Sequence, residues 1–369
     1  MMIFIVSIVL LLTILVLIYS FTTRPEFGKV SKGIELHKIS QSANFRENKF
    51  QNLSHTPDIT EGVSYLEVLR SFLFDKSKRL KPSIPLPSVK TNLFNLKNDE
   101  DVLVWFGHSS YFLQLDGKKI LVDPVFSGNA SPIPGSMKSF IGSDVYTPND
   151  IPVIDFLFIT HDHWDHLDYQ TIIQLKPKIK QIITGLGTAL HLKHWGFDPS
   201  IISEKDWNEE VVLQDGFTVN TLPARHFSGR GLTNRQQSLW MSFAFKTPSQ
   251  NIFIGGDSGY DTHFKVIGEQ FGPFDLAILE CGQYNKNWRY IHSMPNEVVE
   301  AAKELKANKL LPVHWAKFPL AQHDWDEPII KVTGYAEAAN IKTLTPMIGE
   351  IVFLKQTNQQ FKKWWEEVR

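Results

Sequence analysis

A single cysteine, Cys281, stands in 369 residues, which excludes an intrachain disulfide framework and any cysteine-rich metal module. It follows the apolar run Ala277 to Leu279, so it reads as a packed thiol rather than a nucleophile. Net charge is missing too. The 38 Lys and Arg balance 39 Asp and Glu to a formal −1, whereas a nucleic-acid partner would call for a clustered basic face. Low-complexity segments and evident internal repeats are absent. At 43% hydrophobic and 21% charged, the chain can fill one large core or two smaller ones.

The longest gap in charge is N-terminal. Met1 to Thr23 carries no charged side chain, and Ile3 to Ile18 is nearly all branched aliphatic. About 20 apolar residues suffice to cross a bilayer core as a helix. The basic start, short apolar core and small-residue cleavage site of an exported leader are lacking, so residues 1–23 are expected to form an uncleaved membrane anchor. Arg24, Lys29, Lys32 and Lys38 all follow the span, which favours a cytoplasmic body.

Residues 24–97 read as a connector rich in Asn, Ser, Lys and Pro, with one helix over Ser64 to Phe74. Asn52-Leu53-Ser54 is a glycosylation sequon that we take as incidental. Strands are expected at Val102 to Phe106, Tyr111 to Leu115 and Ile120 to Val122. The loop Ser127 to Asn149 is long enough to cover a site. Further strands at Gln181 to Thr184, Glu210 to Leu213, Phe217 to Leu222, Leu239 to Thr247, Ile252 to Ile254, Leu276 to Leu279 and Leu310 to Val313 accompany helices at Tyr169 to Leu175 and Pro295 to Leu305. The pattern predicts an α/β fold of two sheets with helices on their outer faces.

The chemistry concentrates where apolar strands stop. Phe156 to Ile159 runs into Thr160-His161-Asp162-His163-Trp164-Asp165-His166, three imidazoles and two carboxylates within six residues. Such a cluster would be costly to bury unpaired, and its donor types hold zinc and similar metals. The same strand-to-loop step recurs at His226, Asp257 and His314. Loops on a rigid scaffold commonly carry binding groups, so these positions are expected to converge at one sheet edge.

The motif His161-x-His163-x-Asp165-His166, followed in order by His226, Asp257 and His314, resembles the metallo-β-lactamase superfamily over about 101–354. The resemblance implies a four-layer αββα sandwich for a hydrolase domain over 98–369 and a site for two zinc ions, other divalent metals being allowed. His161, His163 and His226 would hold one ion and Asp165, His166 and His314 the other, with Asp257 shared. No cysteine takes a ligand position, which sets the chain apart from the antibiotic-hydrolysing branch.

Trp105-Phe106-Gly107-His108-Ser109, Leu121 to Ser127, Ala224 to Ser228 and His314-Trp315-Ala316-Lys317-Phe318 more closely resemble the branch containing N-acyl-phosphatidylethanolamine-hydrolysing phospholipase D. That likeness implies a phospholipid or other amphipathic substrate at a membrane, with a homodimer allowed. Asp165 and Asp257 are candidates to handle a proton, and His292 matches a histidine near the substrate. His108 and Asp123 are candidates to orient ligands, and His323 is a weaker site candidate. Tyr284, Trp288 and Tyr290 are candidates to line an apolar cleft. Phe361 to Glu367 is expected to dock on the body. A lactonase or other carbonyl hydrolase, and a non-catalytic metal-binding membrane protein, are the competing functions.

Overall fold

The computed structural model describes residues 2–231 and 234–368. Met1 and Arg369, the outer ends of the expected anchor and body, lie outside them. Helix α1 (Met2–Thr22) is 21 residues long, none of them buried, and is long and apolar enough to cross a membrane. Helix α2 (Ile34–Ile39) and the two-residue strands β1 (Phe45–Arg46) and β2 (Lys49–Phe50) follow. Helix α3 (Tyr65–Phe74) then starts where expected, because Ser64 and Glu67 close a reciprocal capping box.

Two seven-stranded sheets make up the body. The first contains β3 (Val102–Trp105), β4 (Tyr111–Leu115), β5 (Lys118–Val122), β6 (Ile154–Ile159), β7 (Ile179–Gly185) and β8 (Ile202–Lys205). The second contains β9 (Glu209–Val212), β10 (Thr218–Leu222), β11 (Ser242–Lys246), β12 (Asn251–Ile254), β13 (Leu276–Glu280), β14 (Lys309–Val313) and β15 (Lys342–Thr343). The last strand, β16 (Ile351–Phe353), returns to pair antiparallel with β3 at the edge of the first sheet. In each sheet four consecutive neighbours are parallel, β5 to β8 and β12 to β15.

Side-chain alternation explains the layering. Leu103, Trp105, Phe156 and Phe158 point into the core shared with the second sheet, where Phe158 meets Phe243 at 5.0 Å. Val104, Phe106, Leu157 and Ile159 face the other way, onto α4 (Tyr169–Leu175) and α5 (Ala189–His194). The second sheet is covered by α6 (His263–Gln270), α7 (Pro295–Glu304) and α8 (Glu327–Ala338). Two apolar faces per sheet give four layers, αββα.

The segment 24–97 packs closely on this body: Phe50, Leu86 and Leu93 are buried. Asn52 is buried with its amide oxygen and nitrogen both hydrogen-bonded, which leaves no room for a glycan. The C-terminal Trp364 and Trp365 are buried, Trp364 stacking on Trp315 at 5.2 Å, so this end docks on the body as expected.

Candidate metal centre

Parallel strands finish at one edge of the sandwich, and the polar groups are delivered there. Asp123 follows β5, His161 follows β6, Asp257 follows β12, Glu280 closes β13 and His314 follows β14. His226 arrives after the antiparallel β10. The turns after β3 and β14 are stapled to each other: His108 N–H donates to the Trp315 carbonyl and His314 N–H to the His108 carbonyl, both at 2.9 Å. Trp105 stacks on Trp315 beneath them at 5.4 Å. His108, Asp123 and His314 all hold left-handed backbone (φ 54°, 41° and 68°), a strained choice that over-determined functional turns tolerate. Gly256 allows the last approach, since a Cβ there would lie 2.9 Å from Thr160 Cβ.

Every residue expected to hold metal converges. His161 Nε2 lies 2.9 Å from His163 Nδ1, which lies 3.2 Å from His226 Nε2. Asp165 Oδ2 lies 3.6 Å from His166 Nε2 and 3.3 Å from His314 Nε2. Asp257 stands between the groups. Its Oδ2 is 3.9 Å from His161 Nε2, 3.7 Å from His226 Nε2 and 3.2 Å from His314 Nε2, and its Oδ1 is 3.2 Å from His166 Nε2.

This donor set fits divalent cations. Ring nitrogens of His161, His163 and His226 lie within 4.8 Å of one another, and desolvation pushes His161 and His226 well below the ordinary histidine range, leaving them neutral with lone pairs to give. His163 Nε2, His166 Nε2 and Asp257 Oδ1 are buried without a hydrogen-bond partner. Burial opposes charge on His314 as well, yet Asp257 and Asp165 push it up to about 10. The same carboxylates hold His166 well above its usual range against burial. Without metal, protons stand where the carboxylates demand positive charge.

Surrounding groups fix these side chains. Asp123 receives the Thr160 N–H (2.9 Å) and hydroxyl (2.6 Å) and faces His166 Nδ1 at 2.8 Å. His108 Nε2 faces Asp165 Oδ2 at 2.8 Å. Both candidates for orienting ligands thus adjoin a candidate ligand. Asp162 receives Gly229 N–H (2.7 Å) and Ser238 Oγ–H (2.8 Å) and points away from the metal cluster. Buried Arg230 donates to the Asp162 and Leu167 carbonyls (2.8 and 2.6 Å) and, twice, to Glu26 just beyond α1.

A cavity of about 400 Å³ opens over the cluster, reaching His163, Asp165, His226, Asp257 and His314. Its walls include Ile59, Val68, Phe72, Trp288, Ile291 and Leu320. Among the described residues none of 127–149 lines it; the cover comes from 58–72, in the segment read as a connector. His292 lines the cavity, and its ring centroid lies 5.0 Å from His226 and 5.2 Å from His314.

The other candidates separate. Trp288 lines the cavity and stacks on Phe72 at 5.5 Å. Tyr284 and Tyr290 do not line it: their hydroxyls donate to Glu327 and Glu61. His323 is turned to structure, its Nε2 accepting the Gln283 N–H (2.9 Å) and its Nδ1 meeting the Asp324 carbonyl. Glu280, which reaches both His292 and His314, escaped the sequence reading although it closes a strand just as the others do.

The model of the β-lactamase superfamily domain matches residues 118–315. An uncharacterised protein of Mycobacterium tuberculosis is 36% identical over 321 residues, 85% of this chain and 84% of that one. N-acyl-phosphatidylethanolamine-hydrolyzing phospholipase D 1 of Caenorhabditis elegans is 31% identical over 295 residues, 75% of this chain and 81% of that one. Among solved structures, a metallo hydrolase from Ignicoccus hospitalis superposes with a TM-score of 0.52 at 22% identity, over 68% of this chain and 97% of that one, a likeness of fold.

Proposed function

The chain belongs to the metallo-β-lactamase superfamily of hydrolases, and from that premise we propose a membrane-anchored, zinc-dependent phosphodiesterase that cleaves N-acyl-phosphatidylethanolamine to phosphatidic acid and an N-acylethanolamine. The observation that carries this reading is one cavity with a floor of imidazoles and carboxylates and walls of Ile59, Val68, Phe72, Trp288 and Leu320. A charged scissile group fits such a floor while acyl chains lie on the walls. The worm relative at 31% identity bears the corresponding activity in its name.

In this reading His161, His163 and His226 would hold one zinc and Asp165, His166 and His314 the second, with Asp257 available to either. Bound there, the two ions would supply positive charge for an anionic phosphodiester and lower the pKa of an attacking water. Asp165 or Asp257 would accept the proton that the water gives up. His292, on the cavity wall beside His226 and His314, would relay that proton, its cavity-side nitrogen taking it up and passing it to the leaving oxygen. The apolar helix α1 serves as the anchor of residues 1–23, with the connector 24–97 and the catalytic body 98–369 on the cytoplasmic side.

The test is incubation of metal-replete full-length protein with N-palmitoyl-phosphatidylethanolamine and identification of the products. Phosphatidic acid with N-palmitoylethanolamine supports the reading. Free fatty acid, or turnover of lactones alone, would replace it with a carbonyl hydrolase.

A further inference from the structure

We propose that Glu280 is a positioning residue that sets the tautomers of His292 and His314 together, and so ties the substrate-side imidazole to the metal-side one. Glu280 closes β13 at the cluster edge and is buried. Its Oε1 accepts the backbone N–H groups of Ser258 (3.2 Å) and Ser293 (3.0 Å). Its Oε2 lies 2.7 Å from His292 Nδ1 and 3.1 Å from His314 Nδ1, the latter off straight hydrogen-bond alignment. A further bond from Ser293 Oγ to the Ser258 carbonyl (2.7 Å) locks the two supporting loops.

Ligand atoms of Asp257, Glu280, His292 and His314 all fall within 4.8 Å of one another, which by itself would suit a metal. The partner count argues otherwise. Both oxygens of Glu280 are already engaged, Oε1 by two backbone N–H groups and Oε2 by the His292 ring with His314 Nδ1 beside it, which suits a carboxylate that directs protons better than a cation ligand. It acts on protons. Drawing the ring proton of each histidine to Nδ1 leaves the Nε2 lone pair for the other side. His314 Nε2 then faces Asp165 and Asp257, and His292 Nε2 is the nitrogen left for the cavity. The two rings lie nearly parallel, 23° apart, so one oxygen also fixes their spacing.

This inference rests on the metal and substrate reading above, and its test separates the two. Ring nitrogen–proton correlation spectra of ¹⁵N-histidine-labelled full-length protein read the His292 contact with or without zinc. A proton on His292 Nδ1 is expected; a bare Nδ1 with the proton on Nε2 would overturn the proposal, and this measurement needs no variant to fold. Glu280→Gln should then weaken zinc about tenfold or more in chelator competition. Wild-type affinity in that variant would overturn the link to His314. A wild-type protein that binds no zinc would instead sink the metal assignment, with the spectrum of His292 still deciding the role of Glu280.

Discussion

Asn52 grips His226 by both of its backbone groups: its Nδ2 donates to the His226 carbonyl at 2.8 Å and its Oδ1 accepts the His226 N–H at 3.0 Å. The Trp240 indole N–H shares that oxygen at 3.0 Å. A residue 174 positions upstream therefore aims a candidate metal ligand. Asn52→Ala strands these buried groups and should cost about 2 kcal/mol of stability. Zinc affinity should fall by roughly tenfold. Thermal melts of the metal-free protein and chelator competition check the two effects, and unchanged affinity would mean that the grip is dispensable.

Substitution of the converging histidines should separate holders from bystanders. His161→Ala and His314→Ala are each expected to lose zinc and nearly all turnover. His323→Ala, whose ring braces the Gln283 backbone, should melt earlier and keep its metal. Metal analysis of the three purified variants decides, and zinc retention by His161→Ala would count against the assignment.

Loading should be coupled to protons. In the metal-free protein His166 and His314 are raised, His314 to about 10, so both carry a proton at pH 7.5. Zinc must displace them, and about two protons per chain should leave on loading. Affinity should therefore rise with pH across the neutral range and fall on acidification. Calorimetry in buffers of different ionisation enthalpy counts the protons; none released would contradict the assigned nitrogens.

The base of α1 is tied to the metal loop. Arg230 reaches the Glu26 carbonyl with Nε (3.1 Å) and Nη2 (2.9 Å), and Trp195 Nε1 donates to the Pro25 carbonyl at 2.7 Å. A chain beginning at Arg24 should keep zinc and its turnover of detergent-dispersed lipid, while its rate on vesicles drops about tenfold or more through lost local concentration. A chain beginning at Gly33 should also bind zinc more weakly. N-terminal sequencing of the membrane fraction completes the check, because a mature soluble protein starting near Arg24 would show export rather than anchoring.

Legibility followed locality. The histidine cluster, His226, Asp257 and His314 were readable because each polar residue directly follows an apolar strand. Glu280 obeyed the same rule but hid behind Leu279 as a strand terminus beside Cys281. Helix α8 was missed, its period interrupted by Gly334, and so was β16, which is defined by pairing with β3 more than 240 positions away. The cover of the cavity went to the wrong loop because length was the only signal in 127–149. Residues 58–72 gain their meaning from packing, as Phe72 against Trp288 shows.

The central claim is attack at phosphorus on the head-group side, and oxygen-18 water tests it most directly. Metal-replete full-length protein is incubated with N-palmitoyl-phosphatidylethanolamine in labelled water, and the products are weighed by mass spectrometry. The account predicts one heavy oxygen in phosphatidic acid and none in N-palmitoylethanolamine. His292→Ala should lower the rate at unchanged zinc content. Heavy oxygen in a released fatty acid, with phosphatidic acid absent, would contradict the account.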